Sequence, residues 1–118
     1  MSTVTRLHKS RRMSQIVQHR STIYLAGQIA DDCSQTIAGQ AREVFGKIDA
    51  LLAEVGLTKS SILFAQIWLS DLTDFSGLNS AWEDWVDPEN PPARATCQAG
   101  LARAGAKLEI LITAAAEG

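Results

Sequence analysis

Apolar residues recur at three- and four-residue steps in two separate segments of the chain, residues 31–56 and residues 72–86. This spacing lines one face of an α-helix, so the pattern predicts two long amphipathic helices. The two apolar stripes consist of Ile37, Ala41, Val44, Ile48, Leu51 and Val55 in the first segment, and of Phe75, Leu78, Trp82 and Trp85 in the second. The residues expected to cap or end these helices are Asp32 or Ser34, Gly56, Asp71 or Thr73, and Pro88.

The remaining apolar segments lack the helical period and predict β-strands. They lie at residues 14–19, 22–28, 61–70, 93–100 and 107–116, and the first two are separated only by "RS", which indicates a hairpin. A second hairpin is expected between the last two strands. The order ββ(β)αβαββ predicts one α+β domain over residues 1–118, a mixed sheet with both helices on one face.

The strands "ILFAQIWL" and "LEILITAAA" are nearly continuous in apolar residues. A sheet with one wet face should alternate apolar and polar positions, so these strands indicate cover on both faces. Two helices cover one face only, and a second copy of the chain is the simplest cover for the other. The alternative is that the opposite face tolerates exposed apolar residues.

Composition and charge narrow the function classes. The 118 residues carry 11 Lys and Arg against 13 Asp and Glu, a net charge of −2, whereas nucleic-acid-binding domains usually show a basic excess. The one basic cluster, Arg6 to Arg12, predicts a solvated N-terminal arm. No secretory signal or membrane span is visible, and two distant cysteines form neither a disulfide framework nor a metal motif. A cytoplasmic location is expected, with no nucleic-acid, membrane or metal partner.

Arg94 is the most informative charged residue, because it stands in the small, apolar stretch "NPPARATCQAG". Alternation along the strand places Arg94, Thr96 and Gln98 on one of its faces. On the next strand, the apolar Leu108, Ile110 and Ile112 share one face and Glu109 lies on the other. Because the small face of the first strand, with Ala95, Cys97 and Ala99, and the apolar face of the second suit packing on the helices, we expect Arg94 and Glu109 on the other face, the one that meets a neighbouring subunit. The same parity predicts that Cys97 is a buried structural thiol.

In a hairpin that turns near residues 103–104, Gln98 lies opposite Glu109, and Arg94 is roughly 13 Å further along at about 3.3 Å per residue. An ion pair between Arg94 and Glu109 of one chain is therefore not expected. Arg94 either meets a carboxylate of another chain or binds an anionic ligand. Pro91 and Pro92 hold the preceding segment extended, and the planar guanidinium suits bidentate binding of a small carboxylate.

The segment "PPARATCQAGLARAGAKLEI" closely resembles the C-terminal signature of the reactive-intermediate deaminase family, also called the Rid or YjgF type. The matching positions are Ala93, Arg94, Ala95, Gly100 and Glu109. "IYLAGQIA" is similar to the family's hairpin strand, and "WLSDLTDFSGLNSAW" to its strand and second helix.

The resemblance implies a chorismate-mutase-like, ferredoxin-like subunit in a homotrimer with a central barrel and ligand sites between subunits. The implied activity is hydrolysis of 2-imino or 2-enamino acids, such as 2-aminoacrylate, to 2-keto acids and ammonia, as in a 2-iminobutanoate/2-iminopropanoate deaminase. Arg94 would anchor the substrate carboxylate and Glu109 would position water. Gly27, Asn79 and Thr96 would line the cleft, and no cofactor is implied.

Three positions differ from the family pattern. Met13 stands where an aromatic residue is common, Ala26 where a hydroxyl is common, and Thr96 where a cysteine is common. The arginine is retained, so carboxylate binding is expected, while substrate range and the presence of catalysis stay open. The alternative is a non-catalytic trimeric binder of small carboxylate metabolites. An RNA-directed role is disfavoured by the acidic balance and the lack of aromatic platforms.

Overall fold

A computed structural model describes residues 3–116 as six strands and two α-helices, which confirms the predicted α+β fold. Their bounds are β1 Val4–Lys9, β2 Ser14–His19, β3 Thr22–Gln28, α1 Ile37–Glu54, β4 Ile62–Leu69, α2 Phe75–Trp85, β5 Ala93–Gln98 and β6 Leu108–Ala115. Single 3₁₀ turns, Lys59–Ser61 and Leu72–Asp74, precede β4 and α2.

The six strands form one mixed sheet in the order β1-β2-β3-β6-β4-β5. β4 and β5 are parallel, and every other pair is antiparallel. The expected hairpin between β5 and β6 is therefore wrong, because β4 lies between them. The cause is α2: it carries the chain from β4 back to the same end of the sheet, as a parallel crossover requires.

The charges of the basic N-terminal segment predicted a solvated arm, and this prediction is wrong. Residues 4–9 form the edge strand β1, with Val4 opposite His19 and Lys9 opposite Ser14. Exposed charged side chains are common on edge strands, where they hinder pairing with further chains. The turn that follows brings Arg12 and Met13 to the end of the sheet where β2 begins.

The helix ends differ from the sequence expectation in detail. α1 is capped by Thr36, whose hydroxyl accepts a hydrogen bond from the Gly39 N–H, while Asp32 and Ser34 bond to each other in the preceding turn. Gly56 has φ +75°, the left-handed conformation expected of a helix stop. Asp71 caps the 3₁₀ turn before α2 rather than α2 itself.

Both helices pack on one face of the sheet, and the opposite face carries exposed apolar side chains. Leu25, Ile67 and Ile112 are buried beneath the helices. On the other face Tyr24 is 50% exposed and Leu111 38%. Among the described residues, neither helix has the length and apolar character needed to cross a bilayer.

Candidate functional site

Arg94 lies on the helix-covered face of edge strand β5. Its register partner on β4 is Ala65, which is fully buried beneath the helices, and Ala65 is in turn paired with the buried Ile112. Side chains at paired positions point to the same face of a sheet. The guanidinium therefore projects toward α2 at the edge of the sheet.

Contacts from α2 fix the position of the Arg94 guanidinium. Its Nη2 donates a 2.8 Å hydrogen bond to Oδ1 of Asn79, and its Cζ lies 5.2 Å from the ring centroid of Trp82 and 5.9 Å from that of Phe75. Rings at these distances stabilise the cation through its electrostatic attraction to their faces. Within residues 3–116, no carboxylate forms an ion pair with Arg94. Four of its five N–H donors are thus left for another group.

Thr96 adds a second polar group to the same face, two residues beyond Arg94. Its Oγ1 is buried and has no hydrogen-bond partner among the described residues. A buried hydroxyl without a partner is costly, by about 1–3 kcal/mol. Arg94 and Thr96 together form a polar, incompletely satisfied patch, which we call the Arg94 half-site.

The chain that enters β5 is held by the Asp87 carboxylate. It accepts hydrogen bonds from the Ser60 hydroxyl at 2.6 Å, the Asn90 amide at 3.0 Å and the Glu89 backbone N–H at 3.0 Å. These donors, the Ser60 hydroxyl foremost, lower the pKa of Asp87 to about 2. The turn ties the end of α2 to the loop before β4 and fixes the start of Pro91–Pro92.

Glu109 lies on the opposite, open face of the sheet, at the start of β6. Its carboxylate packs against Gly27, where a Cβ atom would lie 3.0 Å from Glu109 Cδ and closer still to Oε2. Gly27 lies within a register shift of β3, between Leu25 and Gln28. Such a bulge lets the backbone approach the carboxylate closely, and only glycine leaves room for it.

Trp68 and Cys97 continue the row that Glu109 begins across β6, β4 and β5. Glu109 and Trp68 line an open cleft of about 220 Å³ with Ala99, Gly100 and Leu101. We call Glu109, Gly27 and this cleft the Glu109 half-site. Cys97 is exposed, so the expectation of a buried thiol is wrong: its parity matches Glu109, not the helix-facing residues.

Arg94 and Glu109 therefore do not share a face, contrary to the sequence expectation. The parity argument assumed that the small side of β5, with Ala95 and Cys97, packs on the helices. In the structure these two residues are exposed, and it is the Arg94 side of β5 that lies under the helices. Of the predicted site residues, the structure brings Arg94, Asn79 and Thr96 together on one side. It brings Glu109 and Gly27 together on the other.

A cleft that the sequence did not reveal adjoins Gly27. It has a volume of about 520 Å³, and three cationic side chains line it: Arg12, Lys47 and Arg103. We call it the basic cleft. These residues come from the β1–β2 turn, α1 and the β5–β6 loop, so no spacing along the chain could signal them. Among residues 3–116, no cluster of three or more His, Cys, Asp or Glu side chains is arranged to hold a metal ion.

Comparisons with known proteins agree along nearly the whole chain. A family model described as endoribonuclease L-PSP matches residues 3–116. The chain is 45% identical to a RutC family protein from Haemophilus influenzae over 95% of this chain and 97% of the relative. It is 39% identical to the RutC family protein YoaB from Escherichia coli over 96% and 98%.

Solved structures give the same result for the fold. A member of the YjgF protein family from Neisseria meningitidis has a TM-score of 0.95 at 34% identity, over 98% of this chain and 97% of that one. A protein of the conserved Rid family from Yersinia pestis has a TM-score of 0.83 at 27% identity, over 91% and 90%.

Proposed function

The chain belongs to the RidA/YjgF-type family, and on that premise we propose that it hydrolyses reactive 2-imino or 2-enamino acids to 2-keto acids and ammonia. In this proposal Arg94 binds the substrate carboxylate and Glu109 positions the attacking water. Asn79, Thr96 and Gly27 complete the cleft, and the enzyme is of the 2-iminobutanoate/2-iminopropanoate deaminase type.

The observation that carries the proposal is the state of Arg94. Its guanidinium is held by one amide oxygen and two aromatic rings, yet it has no carboxylate partner among the described residues. A prepositioned cation with unused donors suits the bidentate binding of a small carboxylate. The unpartnered Thr96 hydroxyl on the same face offers the ligand a further hydrogen bond.

The proposed hydrolysis requires few catalytic groups from the protein. The carbon of an imine is already electrophilic, so the protein must mainly hold substrate and water in the right geometry. Glu109 orients a water molecule and accepts one of its protons as the oxygen bonds to this carbon. This proton passes to the nitrogen and gives a tetrahedral amino alcohol. The proton of the new hydroxyl then passes to the nitrogen as well, so the C–N bond breaks and ammonia leaves as the 2-keto acid forms.

The two half-sites lie on opposite faces of one sheet, so one chain cannot present both to a single small molecule. A neighbouring copy that covers the open face can bring its own Arg94 half-site to the Glu109 half-site. The exposed Tyr24 and Leu111 on that face favour such an interface. A closed ring of this head-to-tail kind is consistent with a homotrimer.

The second candidate is a non-catalytic binder of small carboxylates. It is favoured by the origin of the Arg94 contacts: Asn79, Trp82 and Phe75 all lie on α2 of the same chain, so Arg94 can bind an anion without any contribution from Glu109. A Glu109→Gln variant separates the two functions. A deaminase loses turnover and still binds a 2-keto acid, whereas a pure binder has no turnover to lose.

The test couples an amino-acid oxidase to the protein and traps free imine with semicarbazide. Wild type is expected to suppress trapping and to speed keto-acid formation, and Arg94→Ala is expected to abolish both effects. Arg42→Ala, which removes an exposed cation from the outer side of α1, is the matched control and should behave as wild type. Equal trapping with and without the wild-type protein, across several amino acids, would refute the deaminase function.

A further inference from the structure

The basic cleft has a positive charge that the proposed reaction does not use. Arg12, Lys47 and Arg103 line it. Asp31 pairs with Lys47 at 2.7 Å and lies 4.0 Å from Arg103. Glu43 is turned to the backbone N–H groups of residues 31 and 32 and does not line the cleft. The three cations thus exceed the anions that face them.

Each of the three cations keeps free hydrogen-bond donors. Lys47 donates to the Ile29 carbonyl and to Asp31, which leaves one of its three N–H groups. Arg103 donates one N–H to the Ala30 carbonyl and keeps four. Within residues 3–116, the Arg12 side chain makes no hydrogen bond or ion pair. Lys47 and Arg103 therefore brace the loop after β3, while Arg12 has no structural role there.

The loop that carries Arg103 is held by a fully buried side chain. Gln40 donates to the Gly105 carbonyl at 3.1 Å and accepts from the Lys107 N–H at 2.9 Å. A buried amide with partners on both sides fixes the backbone around it. The fold thus fixes the backbone of the loop that carries Arg103.

The basic cleft and the Glu109 half-site adjoin each other. Gly27 lines the basic cleft, and the Glu109 carboxylate packs on the same glycine. Leu101 of the Glu109 half-site is followed directly by Ala102 of the basic cleft. A substrate whose reacting carbon lies at Glu109 can therefore extend its side chain toward Arg12 and Arg103.

Because these two features adjoin, we propose that the protein selects imino acids whose side chain ends in a second anionic group, and that Arg12 and Arg103 bind this group. The substrate class is a short 2-imino dicarboxylic acid, and the product is the matching 2-keto dicarboxylic acid. The inference rests on the proposed function, because the partner's Arg94 half-site is the group that takes the first carboxylate.

The test measures the affinity of the full-length protein for 2-oxoglutarate and for 2-oxobutanoate by calorimetry at low salt. These two keto acids share the reacting end and differ in the terminal carboxylate. Wild type should bind 2-oxoglutarate about tenfold tighter, the size expected for a charge-assisted hydrogen bond. Arg12→Gln and Arg103→Gln should each lower the ratio of the two affinities several-fold.

Matched variants control for loss of structure. Arg12→Lys keeps the charge and should retain most of the ratio. Arg11→Gln removes the neighbouring arginine, which does not line the basic cleft, and should leave the ratio unchanged.

The outcomes separate this inference from the proposed function. If 2-oxobutanoate binds in an Arg94-dependent manner and 2-oxoglutarate binds no tighter, the selection is wrong and the deaminase proposal stands. If neither acid binds, and Arg94→Ala traps no more imine with semicarbazide than wild type does, the proposed function fails as well. If the ratio of affinities falls equally in Arg11→Gln, the preference comes from the overall positive charge of this region and not from binding by Arg12 and Arg103, and the inference is wrong.

Discussion

The Glu109 carboxylate packs directly on the Cα atom of Gly27, in the space that any other residue would fill with its Cβ. The obstructing atoms are the far end of a flexible side chain, not backbone. Glu109 can therefore rotate away at little cost in stability. Gly27 thus determines where the carboxylate lies rather than whether the chain folds.

We expect Gly27→Ala to keep the melting temperature nearly unchanged and to lower imine turnover by about 100-fold, since a displacement of about 1 Å at a reacting group has effects of that size. Gly46→Ala is the control: a Cβ at Gly46 meets nothing within 4 Å, and alanine favours the helix by about 0.5–1 kcal/mol. Full turnover in Gly27→Ala would show that the position of Glu109 is not critical.

Asn79 sets the charge balance of Arg94, because the neutral amide orients the guanidinium without neutralising it. Asn79→Asp places a carboxylate at the same spot, so the guanidinium gains an internal counter-ion. We expect the affinity for 2-oxobutanoate to fall about tenfold or more, the size of one charged hydrogen bond. Asn79→Ala removes the hydrogen bond without adding charge and should weaken binding less. Tighter binding in Asn79→Asp than in Asn79→Ala would contradict this role.

Both helices and five of the six strands were predicted from the sequence: the stripe of α1 is visible from Ile37 to Val55, and Arg20 and Ser21 mark the turn between β2 and β3. β1 was not predicted, because its charged residues suggested a solvated arm. Arg94, Asn79, Gly27 and Glu109 were predicted as site residues from the family resemblance, and that prediction does not depend on which face each residue occupies.

Which face of a strand meets the helices is determined by packing between distant segments of the chain. Nothing local in residues 93–100 signals that the Arg94 side of β5, rather than its small side, lies under the helices. The assumption that small residues face the helices therefore put Arg94 on the wrong side. The basic cleft could not be predicted from the sequence for the same reason. Arg12, Lys47 and Arg103 come together only when three distant segments meet at one end of the sheet.

Thr96 buries a hydroxyl without a partner, so removing the oxygen should relieve a penalty. Thr96→Val has nearly the same shape, and we expect the free energy of unfolding to rise by about 1 kcal/mol in the ligand-free protein. If the hydroxyl meets the substrate, the affinity for 2-oxobutanoate falls in the same variant. Denaturant unfolding at fixed protein concentration measures the first effect. A loss of stability would mean that the hydroxyl has a partner in the assembled protein.

Asp87 makes stability depend on pH in the acid range. Its pKa is lowered to about 2 by hydrogen bonds from Ser60, Asn90 and the Glu89 backbone, whereas the unfolded chain has an ordinary value near 4. Its contribution is therefore fully present above about pH 4 and is lost as the pH falls through about 2. We expect Asp87→Asn to make the fall in unfolding free energy between pH 4 and pH 2 shallower than in wild type. Ser60→Ala should lie between them, and identical slopes in all three would exclude this carboxylate as a source of the pH dependence.

Arg94 and Glu109 face opposite sides of one sheet, so an active site that uses both must combine two chains. Two inactive variants, Arg94→Ala and Glu109→Gln, should then restore each other when unfolded together and refolded as mixed oligomers. In a ring where each site takes Arg94 from one chain and Glu109 from the next, random mixing at equal ratio leaves about one quarter of the sites intact. We expect about one quarter of wild-type imine turnover from the mixture and none from either variant alone. Refolding Arg94→Ala with a double variant that lacks both groups is the control and should stay inactive. A mixture with no activity, from variants that each still assemble, would place both groups of the site on one chain.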